Sequence, residues 1–267
     1  MKRKKRLVLF VTLSVVQLLL AVFIVVKREN FIYIFPTKEP QVLKDLAYDK
    51  DKRLGYTVHI KENGKLVPYL VLTKNYIDQG NVLLLRKHLV DPPMSFRDGW
   101  EEAYYGHSIP DAFMHKDFIK CLSKDVQGNI PLTELGIKPS EENAGMGHIE
   151  KIKRQLFLLS DIDVGNYKNS VRFEDDRNLL YFKRKGGVKN DRLAYLAGDS
   201  TPYSWWLRTA FATASTVVSA VDYKGMLSGG GVVYPAHVRP AFTLPPETEV
   251  EKKENDGQGM YVLKMDK

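Results

Sequence analysis

A run of twenty residues near the start of the chain, seventeen of them apolar, restricts its fold more than any other sequence feature. The run extends from Leu7 to Val26 and contains no charged residue. As a helix it would be about 30 Å long, which matches the hydrocarbon core of a bilayer. Five basic residues precede the run and two follow it. Because Lys and Arg are retained on the cytoplasmic side, the pattern predicts a single-pass anchor with the N-terminus inside and the C-terminal domain extracellular.

A cleaved signal peptide is the alternative interpretation of this segment. Its apolar region would be shorter, at about 7–15 residues, and would end in a small-x-small cleavage site. The run ends instead in branched residues, from Ile24 to Val26, followed by Lys27 and Arg28. We therefore expect an uncleaved anchor and a chain of four parts: basic segment and anchor (1–28), juxtamembrane linker (29–53), exported domain (54–246) and polar tail (247–267).

The positive charge of the chain is concentrated in its predicted anchor segment. The formal net charge is +8, but residues 1–28 hold seven of the 40 Lys and Arg residues and none of the 32 Asp and Glu residues. The remainder is thus nearly neutral, and we expect no nucleic-acid partner, since a phosphate backbone requires a basic surface. Cys121 is the only cysteine, which excludes an intramolecular disulfide and a zinc–thiolate cluster.

The sequence after residue 54 predicts a domain rich in short strands. Apolar and polar residues alternate from Tyr56 to Ile60, and Asn63-Gly64 favours a tight hairpin turn before a returning strand that ends at Thr73. A third strand is expected over residues 82–86, and Pro92-Pro93 is expected to end this sheet.

One principal helix is predicted from Ser108 to about Lys124, because Ser108, Pro110 and Asp111 form a typical helix start. Further strands are expected over residues 153–160, 192–196, 205–211, 216–221 and 238–244. The predicted class is α+β, with mostly short antiparallel strands and one principal helix behind the transmembrane anchor.

The sequence contains no motif that supports catalysis or metal binding. No two of the six histidines are spaced i, i+4 as a helical metal site requires. Glycoside hydrolysis needs two carboxylates on opposite sides of a cleft, and the closeness of Asp161 and Asp163 in sequence is no evidence of that arrangement. We therefore interpret both residues as helix caps. The chain also lacks a nucleophile elbow and a phosphate loop. We expect no cofactor, no metal and no catalytic residue, although whether the chain is an enzyme stays open.

A cluster of aromatic residues from Tyr203 to Arg208 is the most unusual segment of the domain. Neighbouring strand residues point to opposite faces, so one of Trp205 and Trp206 is expected in the core and the other covered or exposed. An exposed tryptophan beside Tyr203 would stack on a sugar ring, with Arg208 bonding hydroxyls or carboxylates. The alternative is that both tryptophans and Arg208 are structural.

Two late segments resemble an uncharacterised domain family of surface and secreted proteins in Gram-positive bacteria. They are Ser204-Trp-Trp-Leu-Arg-Thr209 and Val238-Arg-Pro-Ala-Phe-x-Leu244. Matches in the early strands extend the resemblance over about residues 54–246. The family usually has Gly before Val-Arg-Pro-Ala, whereas this chain has His237.

The same signature is similar to the closing strands of formylglycine-generating enzymes and C-type-lectin-like folds. The catalytic cysteine pair of the formylglycine enzymes is absent, because Cys121 is alone. The resemblance therefore implies the scaffold without the oxidase chemistry, and ligand binding by a variable loop from Tyr223 to His237. The ligand-binding residues expected from this cluster and loop are Tyr203, Trp205, Trp206, Arg208, Tyr223 and His237.

These observations predict a non-catalytic recognition domain, anchored in the membrane, that binds cell-wall glycan or another surface protein. A hydrolase or transferase acting on envelope polymers is the alternative. A third hypothesis is a structural or signalling partner of a membrane complex that uses the apolar run itself. Converging carboxylates with raised pKa values would favour the enzyme, and an exposed aromatic platform without them would favour binding.

Overall fold

The computed structural model of the chain describes residues 39–48, 57–137, 149–165, 179–183, 188–211, 214–255 and 258–265. The chain divides into two compact units, Met1–Glu39 and Pro40–Lys267, and every element named below belongs to the second. The predicted anchor from Leu7 to Val26 lies outside the described residues. Within the described ranges, no helix is both long enough and apolar enough to cross a membrane.

The described part of the chain contains fourteen β-strands. In chain order they are β1 (Thr57–Glu62), β2 (Lys65–Thr73), β3 (Val82–Arg86), β4 (Val90–Ser95), β5 (Thr133–Ile137), β6 (Glu150–Arg154), β7 (Leu156–Phe157), β8 (Trp205–Ala210), β9 (Val217–Val221), β10 (Leu227–Gly231), β11 (Pro235–Val238), β12 (Ala241–Leu244), β13 (Val250–Asn255) and β14 (Gln258–Leu263).

Most of these strands belong to two mixed sheets. The larger sheet has the order β13-β14-β1-β2-β3-β12-β7 and the smaller has the order β10-β9-β8-β11-β4, while β5 and β6 form a separate pair. Neighbouring strands are antiparallel except for β1 with β14 and β8 with β11, which are parallel. The predicted strand-rich α+β class is confirmed, and the lectin-like topology stays a prediction.

The helices are short. They are α1 (Ile109–Lys116), α2 (Lys124–Asn129) and α3 (Val188–Arg192), with 3-10 turns at Leu43–Leu46, Tyr76–Asp78, Tyr105–His107, Phe118–Cys121 and Leu180–Lys183. The predicted start of α1 is confirmed, because the Ser108 hydroxyl accepts a hydrogen bond from the Asp111 amide. The predicted continuation to Lys124 is wrong. The helix ends at Lys116, and Ser123 caps a second helix by accepting from Val126.

The first hairpin forms as predicted from its local sequence. Asn63 and Gly64 have φ angles of 48° and 79°, which is the left-handed conformation that a type I′ turn requires at both positions. In β1, the alternate residues Val58, Ile60 and Glu62 are buried. The hairpin thus places one face of β1 in the core.

The prediction of a polar tail after residue 246 is wrong. Strands β13 and β14 pair with each other, and β14 also pairs with β1, with Val58 opposite Tyr261. Val250, Val262 and Leu263 are buried. Strand β1, which pairs with β14, lies about two hundred residues earlier in the sequence, so no local pattern in this polar segment indicates its role in the sheet.

The predicted linker over residues 29–53 overlaps the folded domain. Leu43 and Leu46 are fully buried, and the Leu43 amide donates to the Thr248 carbonyl at 2.8 Å. The segment forms a 3-10 turn at Leu43–Leu46. The domain therefore begins before residue 54.

Four further predictions of local structure are wrong. Pro92 and Pro93 do not end a sheet but lie within β4, an edge strand of the smaller sheet, which is where proline occurs in sheets because it cannot donate to a central ladder. The single strand predicted over 153–160 is divided into the end of β6 and the two-residue β7. The strand predicted over 192–196 is absent, because Arg192 ends α3 and an irregular segment follows it. The expected loop from Tyr223 to His237 contains β10 and β11, because its glycine-rich centre pairs with β9.

Candidate binding surface

Both tryptophans of β8 are buried, and every residue of that strand is buried with them. The Trp205 indole nitrogen donates to the Arg192 carbonyl at 3.1 Å. The Trp206 indole nitrogen donates to the Met94 carbonyl at 2.9 Å, and its side chain is only 2% exposed. Because packing covers both faces of β8, neither ring is exposed, and the structure corresponds to the alternative in which both tryptophans are structural.

Arg208 is also buried, where it joins several elements of the core. Its guanidinium donates to the Leu158 carbonyl at 2.9 Å and to the Asp163 carboxylate at 3.1 Å. The same carboxylate accepts from the Tyr76 hydroxyl at 2.8 Å and from the Ser160 amide at 2.9 Å. This arrangement corresponds to the structural alternative for Arg208, since its donors are directed into the interior rather than toward a ligand.

Arg239 connects the two signature segments. Its guanidinium lies 5.1 Å from the centre of the Trp205 ring and donates to the carbonyls of Arg86 and Lys87. Burial lowers the pKa of Arg239 to about 10. A guanidinium stacked on an indole favours close packing as well as charge stabilisation. The tryptophan and arginine of the resemblance therefore contact each other inside the fold.

The other residues expected to bind ligand are divided between the interior and a turn. Tyr203 donates to Asp199 at 2.8 Å, and its ring centre lies 5.1 Å from that of His237. His237 is buried beside Trp205, opposite it in the register of β8 and β11. Tyr223 is exposed in the turn between β9 and β10. The structure thus brings Tyr203, Trp205 and His237 together, and leaves Tyr223 as the exposed member.

A different pair of aromatic residues is exposed on the surface. Trp100 and Tyr234 are each 62% exposed, with ring centres 5.8 Å apart and ring planes at 87°. This edge-to-face arrangement is a favourable contact between aromatic rings. We call Trp100, Tyr234 and the Gly231 backbone beneath them the aromatic patch.

Backbone hydrogen bonds hold the two halves of the aromatic patch together. The Val232 carbonyl accepts from the amides of Phe96 and Arg97 at 2.7 and 2.9 Å, and the Tyr234 amide donates to the Gly231 carbonyl at 3.0 Å. A Cβ atom at Gly231 would lie 3.1 Å from the Tyr234 ring and 3.2 Å from the Trp100 ring. Glycine at this position therefore lets both rings lie directly on the strand.

Polar groups lie next to Trp100 along its loop. Asp98 and Glu101 are exposed, and Arg97 pairs with Glu101 and donates to the His107 carbonyl. Apolar rings bordered by carboxylate and guanidinium groups suit a sugar, whose C–H groups form an apolar face and whose hydroxyls lie around the rim.

Sequence reasoning missed both aromatic residues of this patch. Trp100 follows Arg97-Asp98-Gly99, a turn-forming segment outside any predicted strand or helix. A tryptophan in such a segment indicates a surface position, and this is the signal by which Trp100 could have been found. Tyr234 fell inside the predicted loop without being singled out. Among the described residues, no group of three or more His, Cys, Asp or Glu side chains is arranged to hold a metal ion.

The fold and this surface define a strand-rich α+β domain with an exposed aromatic patch. Comparison with protein families matches residues 79–246 to DUF6273, a domain of unknown function. The match covers more than half of the 267 residues, so the chain belongs to the DUF6273 family. Neither a curated protein nor a solved structure matches the chain. The prediction of an uncharacterised domain family is confirmed, while the two-segment signature and the Gram-positive source stay predictions.

Proposed function

We propose that the chain is a non-catalytic recognition module that binds carbohydrate of the cell envelope through the aromatic patch. The exposure of Trp100 and Tyr234 is the observation that supports this proposal most. Large aromatic side chains are usually covered in a folded domain, and an exposed pair is typical of a surface that binds a partner. Indole and phenol rings stack on the apolar face of pyranose rings, and the adjacent exposed Asp98 carboxylate can accept hydrogen bonds from sugar hydroxyls.

The alternative of an envelope hydrolase or transferase has less support. The buried carboxylates Glu62, Asp111 and Asp163 are each paired with an arginine, at 2.9, 3.0 and 3.1 Å respectively, so each has a structural ion-pair partner inside the fold. A catalytic acid would instead need a carboxyl group with a raised pKa. At Asp199 hydrogen bonds from Thr201 and Tyr203 lower the pKa, and at Glu249 Lys264 lowers it.

The proposed place of action is the outer surface of the cytoplasmic membrane. The apolar run from Leu7 to Val26 and its five-to-two flanking charge asymmetry support a tether with the N-terminus inside. A tethered module that binds glycan would hold the membrane close to the cell wall.

Isothermal titration of the full-length protein in detergent with a peptidoglycan disaccharide tests the binding proposal. Trp100→Ala and Tyr234→Ala should each weaken binding at least about tenfold, which corresponds to about 1.4 kcal/mol, because each removes one stacking surface. Leu132→Ala is the matched control, since Leu132 is 61% exposed but is not part of the patch.

All three variants should melt at the wild-type temperature, because the truncated side chains are mostly exposed. Wild-type affinity in both aromatic variants would contradict the proposal, as would a wild-type protein that does not bind the disaccharide or longer glycan chains.

A further inference from the structure

Three of the four edge strands of the two larger sheets carry features that prevent pairing with another chain. Strand β13 presents exposed Lys252 and Lys253, β4 contains Pro92 and Pro93, and β7 has only two residues. Charges, prolines and short length are the usual ways in which an open sheet edge is protected.

The fourth edge, β10, has none of these features. Its sequence is Leu227-Ser-Gly-Gly-Gly231, without charge or proline, and Ser228 and Gly229 are exposed. Glycine within a strand often marks a position where another backbone or a ligand approaches closely. An edge that is both exposed and unprotected is therefore a candidate for binding an extended chain.

The hydrogen-bond pattern shows which backbone groups of β10 face outward. The Asp222 amide donates to Met226 and the Val232 amide donates to Thr216, so the hydrogen-bonded pairs with β9 fall on even-numbered residues of β10. The amides of Leu227, Gly229 and Gly231 consequently point away from β9. Among the described residues, β10 pairs with no strand other than β9, and the one turn or loop hydrogen bond that reaches its outer edge runs from the Tyr234 amide to the Gly231 carbonyl.

The glycines also have a packing role, which concerns the two faces of the strand. A Cβ atom at Gly230 would lie 2.6 Å from the Trp206 ring, and one at Gly229 would lie 2.8 Å from Val217. Close packing on the faces explains the absence of side chains there. This packing on the faces does not explain why the edge of β10 lacks the charges or prolines that protect the other sheet edges.

We propose that the free edge of β10 binds an extended peptide by strand addition, with backbone hydrogen bonds to Leu227 and Gly229. This mode of recognition gives affinity through the main chain. A second copy of this chain is a poorer occupant, because the edge offers only five residues, whereas a stable protein interface uses about 20–30 residues on each side. The peptide site uses the backbone groups of Leu227 and Gly229, whereas the carbohydrate proposal uses the rings of Trp100 and Tyr234 at the other end of β10.

Amide hydrogen exchange measured by NMR on the full-length protein in detergent micelles tests this proposal. The probe is an acetylated heptapeptide with the sequence of residues 216–222, which already pairs with the opposite edge of β10 in the fold. Saturating peptide should slow exchange at Leu227 and Gly229 at least about tenfold, because these amides become hydrogen-bonded. Exchange at Ser228 and Gly230 should not change, since β9 already protects them.

Two matched controls make the result specific. N-methylation of every amide of the peptide should abolish the protection, because then neither alternate set can donate to the edge in any register. In the Trp100→Ala variant the peptide should still slow amide exchange at Leu227 and Gly229, although glycan binding is weakened. The failure of one proposal can therefore be distinguished from the failure of the other.

The proposal is overturned if the peptide gives no protection, or if Leu227 and Gly229 exchange slowly in the free protein. Protection that appears without peptide and rises with protein concentration would assign the edge to a second copy, and would equally overturn the peptide site.

Discussion

At the scale of single residues, the ion pair between Arg208 and Asp163 has the clearest consequence. Both side chains are almost completely buried. Arg208→Ala would leave the Asp163 carboxylate in the interior without its charged partner, and breaking a buried pair in this way costs about 3–5 kcal/mol. We expect the free energy of unfolding in urea to fall by that amount or the domain not to fold.

The matched control is Lys264→Ala, which removes an ion pair with Glu249 on the surface. Exposed pairs contribute little to stability because water and salt screen them. A wild-type urea midpoint for Arg208→Ala would show that Arg208 does not brace the core, and would reopen its role as a ligand-binding residue.

Two half-buried histidines predict a pH dependence of stability. Burial lowers the pKa of His59 and of His88 below the ordinary value of 6.5, and Lys87 acts in the same direction on both. As the pH falls through 6.5, the unfolded chain therefore takes up protons that the folded chain does not, so the free energy of unfolding decreases. Above that pH both histidines are neutral in both states and the effect is absent.

Melting temperatures measured between about pH 7.5 and about pH 5.5 check this sign, in a range above most carboxyl pKa values. The wild type should lose stability over this range, and His59→Gln with His88→Gln should lose less. His107→Gln is the control at an exposed site. An equal loss in the double variant and the wild type would contradict the assignment.

At the scale of elements, the hairpin of β13 and β14 belongs to the core of the domain. Val262 is buried where β14 pairs with β1. Val262→Ser removes apolar surface and places a hydroxyl in the interior, so we expect a loss of about 1–3 kcal/mol. Lys252→Ser, at an exposed position of β13, should change stability little. Equal urea midpoints for the two variants would restore the interpretation of residues 247–267 as a polar tail.

The elements that the sequence predicts correctly are those that depend on residues close together in the chain. The Asn63-Gly64 turn and the Ser108 cap each depend on residues a few positions apart, and both are present. The pairing of β14 with β1 depends on residues about two hundred positions apart, and no local pattern encodes it. In the same way, the glycines over 229–231 predict a flexible turn by composition, whereas β9 holds them in a strand.

At the scale of the whole molecule, burial decides which aromatic residues are available to a ligand. The sequence correctly predicts an α+β domain, and it singles out Trp205 and Trp206 as unusual residues of that domain. It does not indicate that β8 is covered on both faces, because coverage depends on the arrangement of both sheets. Trp205 and Trp206 are consequently in the core, and the third tryptophan, Trp100, lies on the surface with Tyr234.

This distribution gives a direct test of carbohydrate binding. Acrylamide quenches the fluorescence of exposed tryptophans. All three tryptophans lie in the described part of the chain, and Trp100 is exposed whereas Trp205 and Trp206 are buried. The emission that acrylamide quenches therefore comes from Trp100. We expect a saturating peptidoglycan disaccharide to lower the quenching constant of the full-length protein and to have no effect on Trp100→Ala. Binding of the disaccharide with an unchanged quenching constant would contradict the account, because the sugar would then bind elsewhere on the molecule.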